Sequence, residues 1–210
     1  MSKLMWKKLD CVENPPAYLE VTDDCYYARD YASGKDHNFS EANSLIKNLK
    51  KSIKKKNNRE WVYKEQAVER FAVELAALFE SAASDFFVAP IPPSTHRNDA
   101  EYDPRLDMVL EQLKDLSPRA RAIEPIFRAK SRTPAHLSGN SRPSVQEVYA
   151  SLGWNHAVKI PDGTLFLVDD VITTGTSFKA CQRLIKENAP AVSVVGVFWA
   201  RTVWLSSFGA

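Results

Sequence analysis

The run 165–177, Leu-Phe-Leu-Val-Asp-Asp-Val-Ile-Thr-Thr-Gly-Thr-Ser, constrains this chain more than any other stretch of it. The pattern predicts an apolar strand at 164–168, a polar turn at 169–176 and an amphipathic helix at 177–188 with Phe178, Cys181, Leu184 and Ile185 facing inward. Another apolar strand is expected at 191–200. Strand, helix and strand in that order form a βαβ unit, which requires a parallel sheet and a right-handed crossover. The expected fold class is therefore α/β, a Rossmann-like and mostly parallel sheet flanked by helices.

In an open parallel sheet, ligands bind beyond the carboxyl ends of the strands. That position is where Asp169, Asp170 and the Thr/Gly/Ser loop fall. Ionised carboxylates only accept hydrogen bonds, so two of them side by side suit neighbouring hydroxyls such as ribose O2 and O3. A phosphate needs converging donors instead. Gly175 permits a positive φ that turns backbone N–H groups inward. Thr173, Thr174, Thr176 and Ser177 add hydroxyls, and the following helix points its positive end at an anion. Two other phosphate motifs are absent: there is no G-x-x-x-x-G-K-[ST], and no G-x-G-x-x-G after a strand. A plainer reading, in which Asp-Asp ends a strand and Thr/Ser caps a helix, fits either half of the run alone better than it fits the ordered whole.

The remaining chain divides into a polar segment, 1–60, and a larger region, 61–210, expected to be an N-terminal extension or hood and an α/β core. The first carries an aromatic patch at Tyr26, Tyr27 and Tyr31. It then has a helix after Ser40 with Leu45, Ile46, Leu49 and Ile53 on one face. Val68, Phe71, Leu75, Leu78 and Phe79 predict a helix over 63–81, and the run 85–93 reads as a buried strand ending in a proline-stiffened loop. Another helix is expected near 106–116. Residues 117–145 read as a long loop with one short strand near 122–127.

Composition closes off several function classes. A net charge of +2 gives no global pull towards nucleic acid or membrane. Cys11, Cys25 and Cys181 form no C-x-x-C pair, which argues against a disulfide framework or a cysteine-rich zinc site. His96, His136 and His156 have no metal-ligand spacing, and no nucleophile elbow G-x-S-x-G occurs. Residues 1–10 do not resemble a secretion signal, and no stretch approaches the roughly 18 apolar residues of a membrane span. A cytoplasmic location without membrane contact is expected.

The run 165–177 resembles the phosphoribosyl pyrophosphate (PRPP) signature of type I phosphoribosyltransferases. Weaker likenesses point to the ComF-like branch: Ala89-Pro-Ile-Pro92, Arg128-Ala-Lys-Ser-Arg-Thr-Pro134 with Leu137-Ser138, and Ala200-Arg201-Thr202. The resemblance implies the type I phosphoribosyltransferase fold and Mg²⁺-dependent transfer of a 5-phosphoribosyl group to a small-molecule acceptor, with release of pyrophosphate. By the same resemblance Asp169 and Asp170 hold the ribose hydroxyls as catalytic residues. Thr173, Thr174, Gly175, Thr176 and Ser177 wrap the 5-phosphate. Pro90, Ile91, Pro92, Arg97, Arg128 and Arg132 serve the pyrophosphate, and Mg²⁺ arrives with PRPP rather than on a protein metal site. The chain departs from the branch in two places. It has no cysteine pairs for an N-terminal zinc ribbon, and His96-Arg-Asn-Asp-Ala-Glu-Tyr-Asp-Pro-Arg105 replaces Arg-Gly-Phe-Asn-Gln. Thr173 also stands where relatives acting on 6-oxopurines carry an aspartate, and a hydroxyl cannot act as that base near neutral pH.

Lys47, Lys50, Lys51, Lys54, Lys55, Lys56 and Arg59 form a cluster with no acidic residue inside it. It reads either as a solvated face or as a nucleic-acid contact over 47–59, with Lys50, Lys51, Lys54 and Lys55 as the contacting residues. The second option belongs to an alternative function: a silent PRPP- or nucleotide-binding regulatory module of the same fold. The acceptor is not legible in the sequence, and the N-terminal segment could serve a homodimer.

Overall fold

A computed structural model describes residues 5–12, 16–131 and 142–204. In chain order the elements are β1 (Lys7–Lys8), β2 (Asp24–Ala32), α1 (Glu41–Leu49), α2 (Trp61–Leu78), β3 (Phe86–Pro90), α3 (Arg105–Leu116), β4 (Ala120–Ala122), β5 (Ile126–Arg128), α4 (Val145–Tyr149), β6 (Leu152–Trp154), β7 (Gly163–Ile172), α5 (Thr176–Asn188) and β8 (Val192–Val203), with a short 3-10 turn at Ile53–Lys55. The main sheet has the order β1-β2-β8-β7-β3-β4 and is parallel except for the β1–β2 pair. Strands β5 and β6 form a small antiparallel ribbon. The expected α/β class, a mostly parallel sheet flanked by helices, is what the chain adopts.

The sheet is apolar on both faces, as a parallel sheet covered on both sides must be. Alternation along the strands divides its side chains between two cores. Ala28, Val88, Val168, Val197 and Trp199 join α1, α2 and α3 in one core. Tyr27, Ala89, Leu167 and Phe198, each a neighbour of one of these, join Phe178, Cys181, Leu184 and Ile185 of α5 in the other. The ring of Phe71 stacks on Trp199 at 4.7 Å between centroids, and the Trp199 indole N–H donates to Glu74 at 2.6 Å.

Several expectations are corrected in detail. Strand β7 does not stop at residue 168 but runs to Ile172, because Asp169, Val171 and Ile172 stay in register with Phe198, Ala200 and Arg201 of β8. Both aspartates therefore lie on the strand, not in a turn. The tyrosine patch is strand β2, inserted beside β8, so residues 24–32 belong to the main sheet. Ser40 caps α1 by accepting from the Asn43 N–H at 3.1 Å, as the sequence suggested, but Ile53 lies past the helix in the 3-10 turn. Among the described residues of 117–145 there are two short strands, β4 and β5, where one was expected.

Lys64 is the least expected member of the interior. Its side chain is fully buried, and its ammonium donates to the Leu49 and Lys51 carbonyls at 2.7 and 2.8 Å and to Asp103 at 2.7 Å. Burial pulls this ammonium below the usual lysine range, with Asp103 opposing the shift. It closes the C-terminal end of α1 and fixes Asp103 in one step. Lys64→Met keeps the apolar stem but strands two carbonyls and weakens the hold on Asp103. Stability should fall by about 2–3 kcal/mol in urea unfolding, and an unchanged midpoint would show the ammonium to be dispensable.

Candidate functional site

The site forms where β7 ends. On a strand, neighbouring side chains face opposite sides, and the two aspartates meet different partners accordingly. Asp170 is only 3% exposed and turns towards α1 and α3. Its Oδ2 lies 2.7 Å from Nε of Arg105, the first residue of α3, and its Oδ1 lies 3.3 Å from Nζ of Lys50, which ends α1. Arg105 is braced in turn by Asp103 at 2.7 Å, and Asp103 by Lys64. Asp169 is half-buried, and its Oδ1 accepts from the Asp170 backbone N–H at 2.8 Å.

Electrostatics separate the pair. Burial, then the charge of Asp170, push the Asp169 carboxyl up to about 7, against the pull of Arg105. Burial would raise Asp170 too, but Arg105 and Lys50 outweigh it and hold that carboxyl below the usual range. One carboxylate is thus fixed as an anion among cations. The other can be ionised or protonated near neutral pH.

The loop after β7 is shaped by Gly175, whose φ of 80° and ψ of 0° lie in the left-handed region. A Cβ there would also come within 2.7 Å of Leu19 Cδ2. Leu19 belongs to a segment pressed against the back of the loop. The Tyr18 N–H donates to the Thr174 carbonyl at 2.9 Å, and the buried Asp23 ties the segment to α5 by accepting from Lys179 and Gln182, both at 2.9 Å. Helix α5 has no side-chain cap at its start, so its first-turn N–H groups can serve an anion. Thr173 pairs with Thr202 at 2.8 Å, and Thr174 with Thr176 at 2.7 Å. In each pair one hydroxyl proton bridges the two oxygens and the other remains to be given.

Two cavities adjoin here. One, of about 540 Å³, is lined by Thr173, Thr174, Gly175, Thr176 and Ser177, with Arg142 and Thr202. The other, of about 750 Å³, is lined by Pro90, Ile91 and Pro92, with Arg97, Arg105, Arg128 and Asp170. Lys50, Asp169 and Ser177 border both. The residues singled out in the sequence for sugar, phosphate and pyrophosphate thereby line these two adjoining cavities, apart from Arg132, which lies outside the described residues.

Individual roles differ from expectation. Arg128 is 4% exposed and donates to the Pro93 and Pro92 carbonyls at 2.7 and 3.0 Å and to Ser151. It holds the proline loop in place from beneath while lining the larger cavity. Arg97 lies between Asp107 at 3.0 Å and Glu124 at 2.9 Å. Asp170, expected to offer itself to a diol, is engaged by two cations. The lysines assigned to nucleic acid are largely taken up inside the chain: Lys50 by Asp170, Lys51 by Asn48, Lys54 by Glu101, and Lys55 by Glu60 at 2.8 Å. The joint role of Lys50 and Arg105 at the aspartates was not foreseen. The only hint was that each begins or ends a helix whose other end is distant from the motif.

Among the described residues no group of three or more His, Cys, Asp and Glu side chains could hold a metal ion, and no helix is long and apolar enough to cross a membrane. Cys11, Cys25 and Cys181 are buried, and none is in a disulfide.

No family model matches the chain, and no curated protein matches it either. Among solved structures it is similar to the hypoxanthine phosphoribosyl transferase of Trypanosoma cruzi, at 9% identity over 66% of this chain and 73% of that one, with a TM-score of 0.40. It is also similar to an adenine phosphoribosyltransferase, at 18% identity over 66% and 69% of the two chains, with a TM-score of 0.36. With so few residues shared, what this site does has to come from its own side chains.

Two outcomes follow from the geometry. Gly175→Ala must place a Cβ at a positive φ and against Leu19, so unfolding free energy should drop by about 1–2 kcal/mol; a variant as stable as the parent would mean that the turn can rearrange. For Asp169, an unfolded aspartate titrates near 3.9, whereas the folded group titrates at about 7. The folded chain retains a proton that the unfolded chain has lost, so this group favours folding fully at acid pH, and the benefit disappears as pH rises through about 7. Asp170 has the opposite sign. Urea unfolding at pH 5 and pH 8 should therefore show a smaller loss on raising the pH for Asp169→Asn than for the parent, and parallel losses would refute the assignment.

Proposed function

We propose that this protein is a phosphoribosyltransferase that binds PRPP with Mg²⁺ and transfers its 5-phosphoribosyl group to an acceptor, releasing pyrophosphate. One observation carries the reading. A half-buried carboxylate at the end of the central strand stands between a cavity headed by an uncapped helix and a cavity floored by a proline loop. A ribose 5-phosphate laid across that junction has its hydroxyls at Asp169 and its phosphate at 173–177, and its C1 side faces the larger cavity.

In the reaction an acceptor atom forms a bond to C1 while the bond from C1 to the diphosphate oxygen breaks, and the bonding electrons leave with pyrophosphate. The chain's contribution is positional. Holding both ends of the sugar phosphate fixes C1 relative to the acceptor, and such fixing lowers a barrier substantially. The loop 173–177 supplies donors for the 5-phosphate, Asp169 orients the diol, and Asp170, kept ionised by Arg105, adds negative potential beneath the sugar as positive charge develops at C1. Mg²⁺ favours hard oxygen ligands. Asp169, as the carboxylate not taken by a side-chain cation, fits a hydrated ion brought in by the substrate's own oxygens. When bound, that ion neutralises diphosphate charge.

Thr173 is engaged with Thr202, which supports an acceptor chemistry that does not draw a proton to this position. The nucleic-acid alternative gains nothing from lysines already paired within the chain. The deciding assay is release of pyrophosphate from PRPP in the presence of Mg²⁺ and a panel of bases. The parent should be active, and Asp169→Asn should lose about 10- to 100-fold, the worth of a charged hydrogen bond or two. If no base supports release, transfer to a nucleobase is excluded. If Asp169→Asn matches the parent, the carboxylate has been given the wrong task.

A further inference from the structure

The larger cavity must accept a highly charged diphosphate beside two carboxylates, and its arginines are already occupied. Arg128 is bonded to the Pro92 and Pro93 carbonyls and to Ser151, and Arg97 lies between two carboxylates. Arg105 is locked between Asp103 and Asp170, each at 2.7 Å. Lys50 differs from all three. It meets a single carboxylate, at the longer distance of 3.3 Å, and it borders both cavities.

We infer that Lys50 is a substrate-binding residue, which exchanges Asp170 for the diphosphate of the incoming substrate. The inference rests on the phosphoribosyl reading above. The exchange is permitted because Asp170 keeps its closer partner: Arg105 is held in place by Asp103, and Asp103 by the buried Lys64. The aspartate never becomes a buried unpaired charge, which would cost several kcal/mol. Lys50 gains a denser anion in return, and a flexible ammonium on a four-carbon stem suits this better than a fixed guanidinium. The diphosphate is the more fitting target than the 5-phosphate, since the latter has the uncapped start of α5 and the loop hydroxyls to itself. Lys50 shares the larger cavity with Asp170 and the proline loop.

The experiment titrates Mg²⁺-pyrophosphate and, separately, ribose 5-phosphate into the parent protein, Lys50→Gln, Lys50→Arg and Lys47→Gln by calorimetry. Lys47 is an exposed lysine on the same helix and serves as the control. Lys50→Gln should weaken pyrophosphate about tenfold or more, as loss of a charged hydrogen bond does, while ribose 5-phosphate changes by less than about twofold. Lys50→Arg should recover most of the affinity, and Lys47→Gln should match the parent. Unfolding curves of Lys50→Gln should stay close to those of the parent, because Asp170 keeps Arg105 at 2.7 Å and only the lysine side of the lost pair is exposed. If the parent binds ribose 5-phosphate and Lys50→Gln still takes pyrophosphate as the parent does, the role of Lys50 is overturned and the reading of the site stands. Equal weakening of both ligands would also overturn it, since Lys50 would then be acting only by holding Asp170. If the parent binds neither ligand, the phosphoribosyl reading falls and Lys50 with it.

Discussion

The ion pair between Arg105 and Asp170 is the contact on which the rest of the site depends. It joins the end of the central strand to the start of α3, and through Asp103 and Lys64 it reaches the end of α1. Three elements distant in sequence are thereby held round a single strand terminus. A buried pair of this kind contributes little net stability, because desolvation offsets attraction; what it fixes is geometry. Here that geometry includes the separation of the two aspartates into an anion that stays ionised and a carboxyl that titrates near neutrality.

The same logic explains why the glycine turn needs a backing. Fixing a glycine in one conformation costs chain entropy, and an uncapped helix start leaves N–H groups without partners. Turn and helix start are held by the segment 16–23, whose Leu19 occupies the space a side chain at 175 would take and whose Asp23 is bonded to α5. Backing and loop come from opposite ends of the sequence, so the donors of the loop are pre-arranged by residues with no motif of their own.

Much of this was legible in the sequence, and what was not shares a cause. The βαβ unit around 165–177, the helix with Val68, Phe71 and Leu75 inward, the Ser40 cap and the proline-ended strand all follow from local periodicity and local chemistry. Strand β2 was missed because its tyrosines are mixed with Asp24, Arg29 and Asp30, and only pairing with β8 makes a strand of it. The end of β7 was placed too early because two aspartates look like a turn until neighbouring strands carry the ladder past them. Arg128 and Lys50 were recognised as charged but not in their observed settings. A guanidinium bonded to loop carbonyls and one open to solvent read identically in a sequence, since the difference is made by partners many residues away.

The placement of β2 has a bearing on how the chain reaches this form. Asp24 pairs with Val195 and Ala32 with Val203, so the first long strand must wait for the last. Contacts between such remote segments close large loops and form slowly. The strands β3, β7 and β8 and their helices can associate with far less loss of chain entropy, and β2 with its leading residues joins afterwards. The turn at Gly175, backed by those leading residues, is then among the later features to acquire its final shape, an order that pulsed hydrogen exchange at the amides of residues 25–31 would reveal.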